Sequence, residues 1–373
     1  MTRYGFLYVH GIHHVYHSAP IAYELSKLDS DARVTLYCSS EATFQAAQRI
    51  KHCFPGSSCN IIELKPPFSF QYFNVERKSY PPPKITLKNH SSLFNEMDII
   101  VGTSFDTLWL KEDFDVTFPN IVFTFHGAGD GAYGFKKSLS NFDLLLLSGE
   151  KVKQRLKTMG VVENTNIEII GYPKFDLFNV RSSFSKNHFK NDRITVLYNP
   201  HWNRRLSSWY DWGEDILEYF SNSKNYNLVF APHLLLKEWK RRNLKLEKYK
   251  KYSNILIDFG SYSSVEMTYS LGCDLYLGDV SSQVYEFLQY PRPCLFLNNS
   301  LVDWKGDPDY LFWQAGPVID KLSKLDVILE ESQNKHKEYR PVQEKLFSDT
   351  FDLNEQSSSL RAAHALVKFS HKY

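Results

Sequence analysis

Residues 274–287 have the sequence DLYLGDVSSQVYEF, which joins an apolar strand to a helix through a short polar turn. The apolar run ends at Gly278, Asp279 follows, and Ser281 and Ser282 precede residues with helical spacing. A strand, a tight turn and a helix in this order form the repeating unit of doubly wound α/β folds. The turn leaves backbone N–H groups and two hydroxyls at the start of the helix, where the helix dipole favours an anion. We therefore predict that Ser281 and Ser282 bind a phosphate or diphosphate.

Glu286 is the second residue of this segment with a predicted role. It follows Ser282 by four residues, so both side chains lie on one face of the helix. From that position the carboxylate is predicted to hydrogen-bond the ribose diol of a nucleotide. In the alternative interpretation, Ser281 or Ser282 only caps the helix, and Glu286 is a solvated surface side chain.

Short runs rich in Ile, Val, Leu and Phe alternate with helical stretches along the whole chain. Runs that are apolar on both faces are typical of parallel sheets covered by helices. The polar, aperiodic segment 179–193 divides the runs into two series and is predicted to be an interdomain linker. The predicted strands are residues 4–9, 33–38, 60–64, 98–101, 121–125, 142–147 and 167–170 in the first series, and 194–198, 228–231, 255–259, 274–277 and 294–297 in the second.

These series predict an α/β protein with two Rossmann-like, doubly wound domains that face a cleft. The first domain is expected to cover residues 1–178 and to bind the acceptor, and the second to cover residues 193–356 and to bind a nucleotide-linked donor. The last segment, residues 357–373, is predicted to form a helix that packs back toward the first domain. A length of 373 residues agrees with two domains, because it exceeds what one core usually serves.

The charge balance argues against one broad class of function. The chain has 44 Lys and Arg residues against 42 Asp and Glu residues, a formal net charge of +2. Proteins that bind nucleic acids without sequence preference depend on a strongly basic surface. We therefore predict no nucleic-acid partner, and we expect any anionic ligand to be held by a local arrangement of donors.

Cysteine usage predicts a reducing compartment. The five cysteines include no CxxC pair, and three of them lie in apolar, strand-like surroundings that are typical of buried free thiols. A disulfide between Cys53 and Cys59 stays open at this stage. No run of eighteen apolar residues occurs, so we predict a cytoplasmic protein without a membrane span. The basic stretch 237–251 is expected to be a solvated helix face; its alternative role is peripheral contact with the inner face of the membrane.

His126 is the predicted catalytic base. It ends an apparent strand in residues 123–131, FTFHGAGDG, where three glycines follow it. Ligands of open α/β sheets bind outside the carboxyl ends of strands, and glycines allow close approach of the backbone. Histidine is the usual general base near neutral pH, and Gly127 is predicted to lie beside the donor. The alternative is a structural histidine in a tight turn.

Two further histidines end predicted strands in the second series. His233 follows the strand in residues 228–236, LVFAPHLLL, and is predicted to act in catalysis opposite His126. His201 follows an earlier strand and precedes Arg204 and Arg205, whose guanidinium groups suit phosphate. We predict that His201 and Arg204 bind the donor.

The N-terminal segment contains a cluster of four histidines: His10, His13, His14 and His17. Histidines three and four residues apart share a helical face and can bind a metal ion. No Cys or acidic residue accompanies them, and Gly11 favours a loop. We therefore predict no metal site and assign His13 and His14 to an acceptor-binding loop after the first strand.

Taken together, these segments resemble the CDP-glycerol glycerophosphotransferase family, the polyol-phosphate transferases of teichoic-acid and capsule synthesis. The resemblance covers about residues 120–300. It is carried by FHGAGD at 125–130, GYPKFD at 171–176, LYNPHW at 197–202, the strand-end His233, and GDVSSQVYEF at 278–287.

The resemblance implies a GT-B fold in which the C-terminal domain holds a CDP-linked donor. It also implies that His126 is the base and that His233, Ser281 and Ser282 surround the diphosphate. The family usually has a basic residue two positions before the second histidine, and here that position is Ala231. Phosphate contacts are therefore expected from other cations: Arg204, Arg205 or Lys237.

The activity that the resemblance implies is transfer of a polyol phosphate from a CDP-linked donor to a hydroxyl of a cell-surface glycan or a lipid-linked acceptor, with release of CMP. No cofactor is expected, and a metal is not required if protein donors neutralise the leaving group. One alternative is a GT-B glycosyltransferase that uses a nucleotide sugar. Another, from a different class, is a non-catalytic nucleotide-binding protein on the same fold.

Overall fold

The computed structural model describes residues 1–67, 81–131, 134–163, 165–181, 183–236 and 246–372. The chain divides into two compact units. The first unit comprises Met1–Ala128, Phe135–Asn179 and Asp349–Tyr373, and the second comprises Gly129–Gly134 and Val180–Ser348. Both units are therefore discontinuous in sequence, and the short piece Gly129–Gly134, which follows His126, belongs to the second.

The first unit is built on a parallel sheet. Within the described residues its order is β3-β2-β1-β4-β5-β6-β7, so the direction of winding reverses between β1 and β4. Such a reversal is the topological switch point at which doubly wound sheets bind ligands. The strands are β1 (Arg3–Tyr8), β2 (Arg33–Cys38), β3 (Asn60–Glu63), β4 (Ile99–Gly102), β5 (Asn120–Thr124), β6 (Leu144–Leu147) and β7 (Asn166–Ile169).

Helices cover this sheet, and the first of them begins earlier than its sequence predicts. Pro20 and Ser18 favour a helix that starts near residue 20 with Ser18 as its cap, but the helix is His13–Leu28. Ser18 lies inside it, and its hydroxyl donates to the Tyr8 hydroxyl at 3.0 Å. The other helices of this unit are Glu41–Lys51, Pro83–Asn89, Ser91–Phe94, Trp109–Glu112, Glu150–Thr158 and Ser358–Ser370, with 3-10 turns at Phe105–Leu108, Lys137–Asn141 and Pro173–Asp176.

The second unit repeats the same winding. Its described strands are parallel in the order β10-β9-β8-β11-β12-β13, and the switch point lies between β8 and β11. The two-residue strand β13 was not predicted from the sequence, whereas every predicted strand is present within two residues at each end. The strands are β8 (Ile194–Asn199), β9 (Tyr226–Phe230), β10 (Ile255–Ile257), β11 (Leu275–Gly278), β12 (Cys294–Leu297) and β13 (Val318–Ile319).

The predicted linker, residues 179–193, is not wholly irregular. It contains the helix Phe184–Phe189, whose Phe189 side chain is buried, and Ser185 donates its hydroxyl proton to the carbonyl of Gly272 at 2.5 Å. This part of the chain is packed into the second unit. The other helices that follow are Trp209–Ser221, Tyr262–Val265, Thr268–Gly272, Gln283–Phe287, Leu325–Asn334 and His336–Thr350, with 3-10 turns at Glu247–Tyr249, Pro308–Ala315 and Leu322–Lys324.

Each unit has a hydrophobic core of its own. All five cysteines are free thiols, so no disulfide joins Cys53 to Cys59; Cys59 is buried and lies 3.1 Å from the carbonyl of Ala22. Among the described residues, none of the helices has the length and apolar character needed to cross a membrane. Most of the basic stretch, residues 237–245, lies outside the described part of the chain, so its predicted helix stays a prediction.

Candidate active site

Three neighbouring strands of the first unit end beside a cluster of imidazoles. His13 and His14 begin the helix that follows β1, so the loop predicted for them is wrong. Thr103 follows β4, and His126 follows β5. The ring centroids of His14 and His126 are 4.1 Å apart, and those of His13 and His14 are 4.3 Å apart. The predicted base and the two predicted acceptor-binding histidines therefore lie together at the switch point of the sheet.

The protonation of His126 is fixed by its neighbour on β4. The Nδ1 atom of His126 lies 2.6 Å from the carbonyl oxygen of Thr103. A carbonyl only accepts hydrogen bonds, so Nδ1 carries the proton and donates it. In the neutral ring the lone pair is then on Nε2, which is the arrangement that a general base needs.

Thr103 also orients a second imidazole. Its hydroxyl lies 2.8 Å from Nδ1 of His14, so one threonine contacts two rings of the cluster. A third ring, His10, is held separately, because its Nε2 lies 2.9 Å from the Ser104 hydroxyl and 3.0 Å from a carboxylate oxygen of Asp106. The sequence does not reveal Thr103 as a site residue, since a lone threonine after a short apolar run carries no distinctive signal.

Burial disfavours positive charge on three imidazoles of the first unit: His14, His17 and His126. Burial lowers the pKa of His14 well below its usual value, and the neighbouring ring of His126 lowers it further. Burial likewise lowers the pKa of His17. Desolvation by the surrounding protein atoms lowers the pKa of His126, although its ring keeps an exposed surface and its hydrogen bond to Thr103 acts in the opposite direction. These imidazoles are neutral at neutral pH.

The second unit also gathers histidines at the carboxyl ends of its strands. His201 follows β8 and His233 follows β9, and their ring centroids are 5.6 Å apart. The indole of Trp202 lies beside both, at centroid distances of 5.5 Å and 6.3 Å. The structure thus brings together the two histidines that the sequence assigns to the donor side.

These two rings have the opposite protonation to His126. The backbone N–H of Asn203 donates to Nδ1 of His201 at 3.1 Å, and that of Leu235 donates to Nδ1 of His233 at 3.2 Å. Since a backbone N–H only donates, both Nδ1 atoms accept, and each neutral ring carries its proton on Nε2. Burial lowers the pKa of His201 to about 4, so this ring is neutral and presents an N–H donor.

Asp279 connects the loops that follow β8 and β11. One carboxylate oxygen accepts from the backbone N–H groups of His201 at 2.8 Å and Val280 at 2.7 Å. The other accepts from the backbone N–H of Ser208 at 2.6 Å and from its hydroxyl at 2.8 Å. Burial raises the pKa of Asp279 to about 6, and the hydrogen bonds from Ser208 and His201 oppose that rise. Asp279 therefore positions the histidine loop next to the serine loop.

Ser281 and Ser282 precede the helix Gln283–Phe287, as the sequence predicts. The hydroxyl of Ser281 accepts from the backbone N–H of Gln283 at 3.3 Å, and Ser282 makes no side-chain cap bond. The helix has only 5 residues, so its dipole is much weaker than that of a longer helix. Binding of an anion at this turn therefore depends on individual hydroxyl and amide donors rather than on the helix dipole.

The segment after His126 lies against this serine loop within the second unit. A Cβ atom added to Gly129 would lie 3.0 Å from Cβ of Ser282 and 3.3 Å from its Cα, so only glycine fits without displacement. Asp130 is buried and accepts from the Tyr285 hydroxyl at 2.5 Å and from the backbone N–H of Phe312 at 3.1 Å. Gly129 therefore lies close to the serine loop, whereas the predicted approach of Gly127 to the donor stays a prediction; Gly127 lies in the irregular stretch between His126 and Gly129.

The remaining predicted donor residues are placed as follows. Glu286 is only 5% exposed, so the interpretation of it as a solvated side chain is wrong, whereas contact with a ribose stays a prediction. Arg204 is exposed, with its guanidinium carbon 5.5 Å from the centroid of the Tyr210 ring. Lys237 lies outside the described residues.

Two doubly wound parallel sheets, each with chemically active side chains at its switch point, define an α/β enzyme of the GT-B type. The family model of CDP-Glycerol:Poly(glycerophosphate) glycerophosphotransferase matches residues 123–368, about two thirds of the chain. The chain belongs to this family and is a CDP-glycerol glycerophosphotransferase.

Solved structures with a similar fold support the architecture. The wall teichoic acid polymerase TagF is 15% identical with a TM-score of 0.64, over 100% of this chain and 89% of the other. Sucrose-phosphate synthase from Thermosynechococcus elongatus is 12% identical with a TM-score of 0.60, and HepE from Anabaena, in complex with UDP and glucose, is 12% identical with a TM-score of 0.55; both alignments cover 100% of each chain. At these identities the likeness concerns the fold alone. No curated protein matches the chain by sequence.

Proposed function

We propose that the chain transfers a polyol phosphate from a CDP-linked donor to a hydroxyl of a cell-surface glycan or lipid-linked acceptor and releases CMP. The observation that carries the proposal is the opposite protonation of the strand-end histidines. His126 presents a lone pair on Nε2, whereas His201 and His233 present N–H groups there. One unit thus offers a proton acceptor, and the other offers donors for phosphate oxygens.

On the acceptor side, Nε2 of His126 takes the proton of the attacking hydroxyl. The hydroxyl oxygen forms a bond to the distal phosphorus of the donor, and the bond from that phosphorus to the oxygen of CMP breaks. His13 and His14, which lie beside His126, bind the acceptor near this hydroxyl. A lipid-linked acceptor brings the reaction to the inner face of the membrane.

On the donor side, the Nε2–H groups of His201 and His233 and the hydroxyls of Ser281 and Ser282 donate to the diphosphate. Preorganised donors of this kind stabilise charge that develops on the leaving group. Asp279 supports the arrangement because it holds the His201 loop and the serine loop together.

Two further residues complete the proposed donor site. Glu286 accepts hydrogen bonds from the ribose hydroxyls, and Arg204 contacts a phosphate from the exposed rim. With these donors the leaving CMP needs no metal ion, so we propose catalysis without a cofactor.

The test is a thermal-shift panel on the purified chain with CDP-glycerol, CDP-ribitol, CDP, CMP, UDP and UDP-sugars, followed by detection of CMP with the stabilising donor. A ligand that binds only the folded state at a hundred times its Kd adds about 2.7 kcal/mol of stability. We expect the cytidine diphosphates to raise Tm and the uridine nucleotides to leave it unchanged. Stabilisation by UDP-sugars alone would favour the nucleotide-sugar glycosyltransferase instead.

A further inference from the structure

His13, His14 and His126 have the geometry of a metal-ligand set. Within the described residues they are the group of His, Cys, Asp and Glu side chains whose ligand atoms, one from each residue, all lie within 4.8 Å of one another. Around a tetrahedral Zn²⁺ with Zn–N distances near 2.0 Å, ligand atoms are about 3.3 Å apart. Modest side-chain rotations would therefore bring the three nitrogens to one ion.

Two of the three rings already have the outer contacts that metal-binding histidines require. A metal-ligating histidine usually donates its other ring N–H to an oxygen, which fixes the ring and directs the free nitrogen to the metal. Thr103 supplies both oxygens, its carbonyl to Nδ1 of His126 at 2.6 Å and its hydroxyl to Nδ1 of His14 at 2.8 Å. In His126 this leaves Nε2 to face a ligand, and in His14 it does so in the tautomer whose Nδ1–H donates to the hydroxyl.

A fourth imidazole beside the set points the same way. His17 is four residues after His13 on the same helix and is 4% exposed. Its Nδ1 is buried and has no hydrogen-bond partner among the described residues. A buried polar nitrogen without a hydrogen bond costs free energy. A neutral imidazole can bind a metal ion through its unprotonated nitrogen and need not lose a proton to do so. The ligand set therefore consists of imidazole nitrogens and contains no carboxylate.

We propose that His13, His14 and His126 bind a divalent transition-metal ion of the Zn²⁺ class, and that the bound ion inhibits transfer. Neutral imidazole nitrogens favour Zn²⁺ and its neighbours over Mg²⁺ or Ca²⁺, which prefer oxygen ligands. The ion occupies the Nε2 lone pair that takes the acceptor proton, so metal and acceptor exclude each other. The inhibition rests on the proposed function; the binding does not.

The binding is tested by calorimetric titration of the chelator-stripped whole chain with ZnCl₂, and with MgCl₂ as the comparison. We expect one Zn²⁺ per chain and no measurable heat of Mg²⁺ binding. His13→Ala should weaken Zn²⁺ binding at least tenfold, and Thr103→Val, which removes only the hydroxyl that orients His14, should weaken it about tenfold. His364→Ala, an exposed histidine of the same unit, should leave it unchanged. Zn²⁺ binding that persists in both His13→Ala and Thr103→Val overturns the site.

The inhibition is tested separately with the CDP-linked donor and acceptor. Added Zn²⁺ should lower turnover with the Kd found by calorimetry, and excess chelator should restore it fully. A chain that binds Zn²⁺ at this site but transfers nothing under any condition contradicts the proposed function while the site stands. A chain whose turnover is abolished by the chelator contradicts the inhibitory role, because the ion would then be needed for the reaction.

Discussion

His126 carries its ring proton on Nδ1, whereas His201 and His233 carry it on Nε2. This difference predicts that substitutions of these histidines have separate effects. Nδ1 of His126 donates to a carbonyl, so Nε2 keeps the lone pair that the proposed mechanism uses to take the proton of the acceptor. A general base typically contributes about a hundredfold to ten-thousandfold in rate. We expect His126→Ala to lower kcat by that order and to change the Kd of the donor by no more than a few-fold, as measured by steady-state kinetics and calorimetry.

The matched comparison is His233→Ala. Its Nε2–H is assigned to the donor, so this substitution should raise the donor Kd or slow departure of CMP. Normal turnover of His126→Ala with the true pair of substrates would show that the base is elsewhere, with His13 or His14 as the next candidates.

The pKa of His126 predicts the acid limb of the pH–rate profile. Free histidine titrates near pH 6.5, and protonation removes the lone pair that a base needs. Desolvation lowers the pKa of His126, so the proton binds only at a lower pH than in a free histidine. The logarithm of kcat/KM should therefore stay flat as pH falls through 6.5 and decline only below it. A decline that begins at or above pH 6.5 would contradict this assignment.

Gly129 and Gly131 form a natural pair of test positions on the same segment. A Cβ atom at Gly129 meets Cβ of Ser282 at 3.0 Å, whereas a Cβ atom at Gly131 meets nothing within 4 Å. Gly129→Ala should therefore displace Ser282 by a few tenths of an ångström and raise the donor Kd several-fold in calorimetry. Gly131→Ala should bind the donor like the unmodified chain. Equal affinities of both variants would mean that the position of Ser282 does not matter for donor binding.

At the scale of elements, the segment 171–176 (GYPKFD) docks the C-terminal helix within the first unit. Gly171 has a φ of +84° and lies so close to Ser358 that an added Cβ atom would overlap its hydroxyl oxygen. Asp176 accepts from the backbone N–H groups of Ser358 at 3.1 Å and Ser359 at 2.7 Å, at the start of the helix Ser358–Ser370. This family motif therefore has a structural role in the first unit.

The docking predicts a loss of stability in Asp176→Ala. Removing the carboxylate leaves two helix-terminal N–H groups and the Ser359 hydroxyl without their acceptor. Partly buried donors that lose their acceptor lower the free energy of unfolding by about 1–3 kcal/mol. Urea unfolding should show that decrease for Asp176→Ala and less than about 0.5 kcal/mol for Asp31→Ala, which changes an exposed side chain of the same unit. An equal effect of the two substitutions would contradict the docking role.

The elements differ in how far the sequence determines them. Apolar runs of β-branched and aromatic residues were sufficient for the strands, because a strand buried on both faces needs little else. The start of the helix His13–Leu28 was predicted wrongly, since Gly11 and Pro20 are local signals and tertiary burial of His14 and His17 outweighed them. The edge strand β13 is only two residues long, too short to leave a periodic signal in the sequence.

The residues of the candidate site could also be predicted only in part from the sequence. Strand-end histidines could be identified because their chemistry is distinctive and their positions follow from the parallel sheet. Thr103 and Asp279 could not, because their importance lies in contacts with residues distant in the sequence. Such contacts depend on strand order, which a list of strands does not provide.

The first unit is completed by residues 349–373, which follow the second unit in sequence. Residues 180–348 belong to the second unit, and only Asp349–Tyr373 return to the first. Within the first unit the helix Ser358–Ser370 packs on the helix His13–Leu28, and it buries Ala362, Leu366 and Phe369. The N-terminal helix, which begins with the histidines of the candidate site, therefore depends on the last helix for its packing.

This dependence predicts an asymmetric response to truncation. Deletion of residues 358–373 removes buried Leu and Phe side chains, each worth about 1.5–3 kcal/mol of burial. Hydrogen exchange should show lower amide protection in the first unit, above all in His13–Leu28, and unchanged protection in β8, β9 and β11 of the second. Deletion of residues 372–373 alone leaves the helix complete and should leave both units unchanged. Equal loss of protection in both units would mean that they unfold as one cooperative body, which contradicts the assignment of the last helix to the first unit alone.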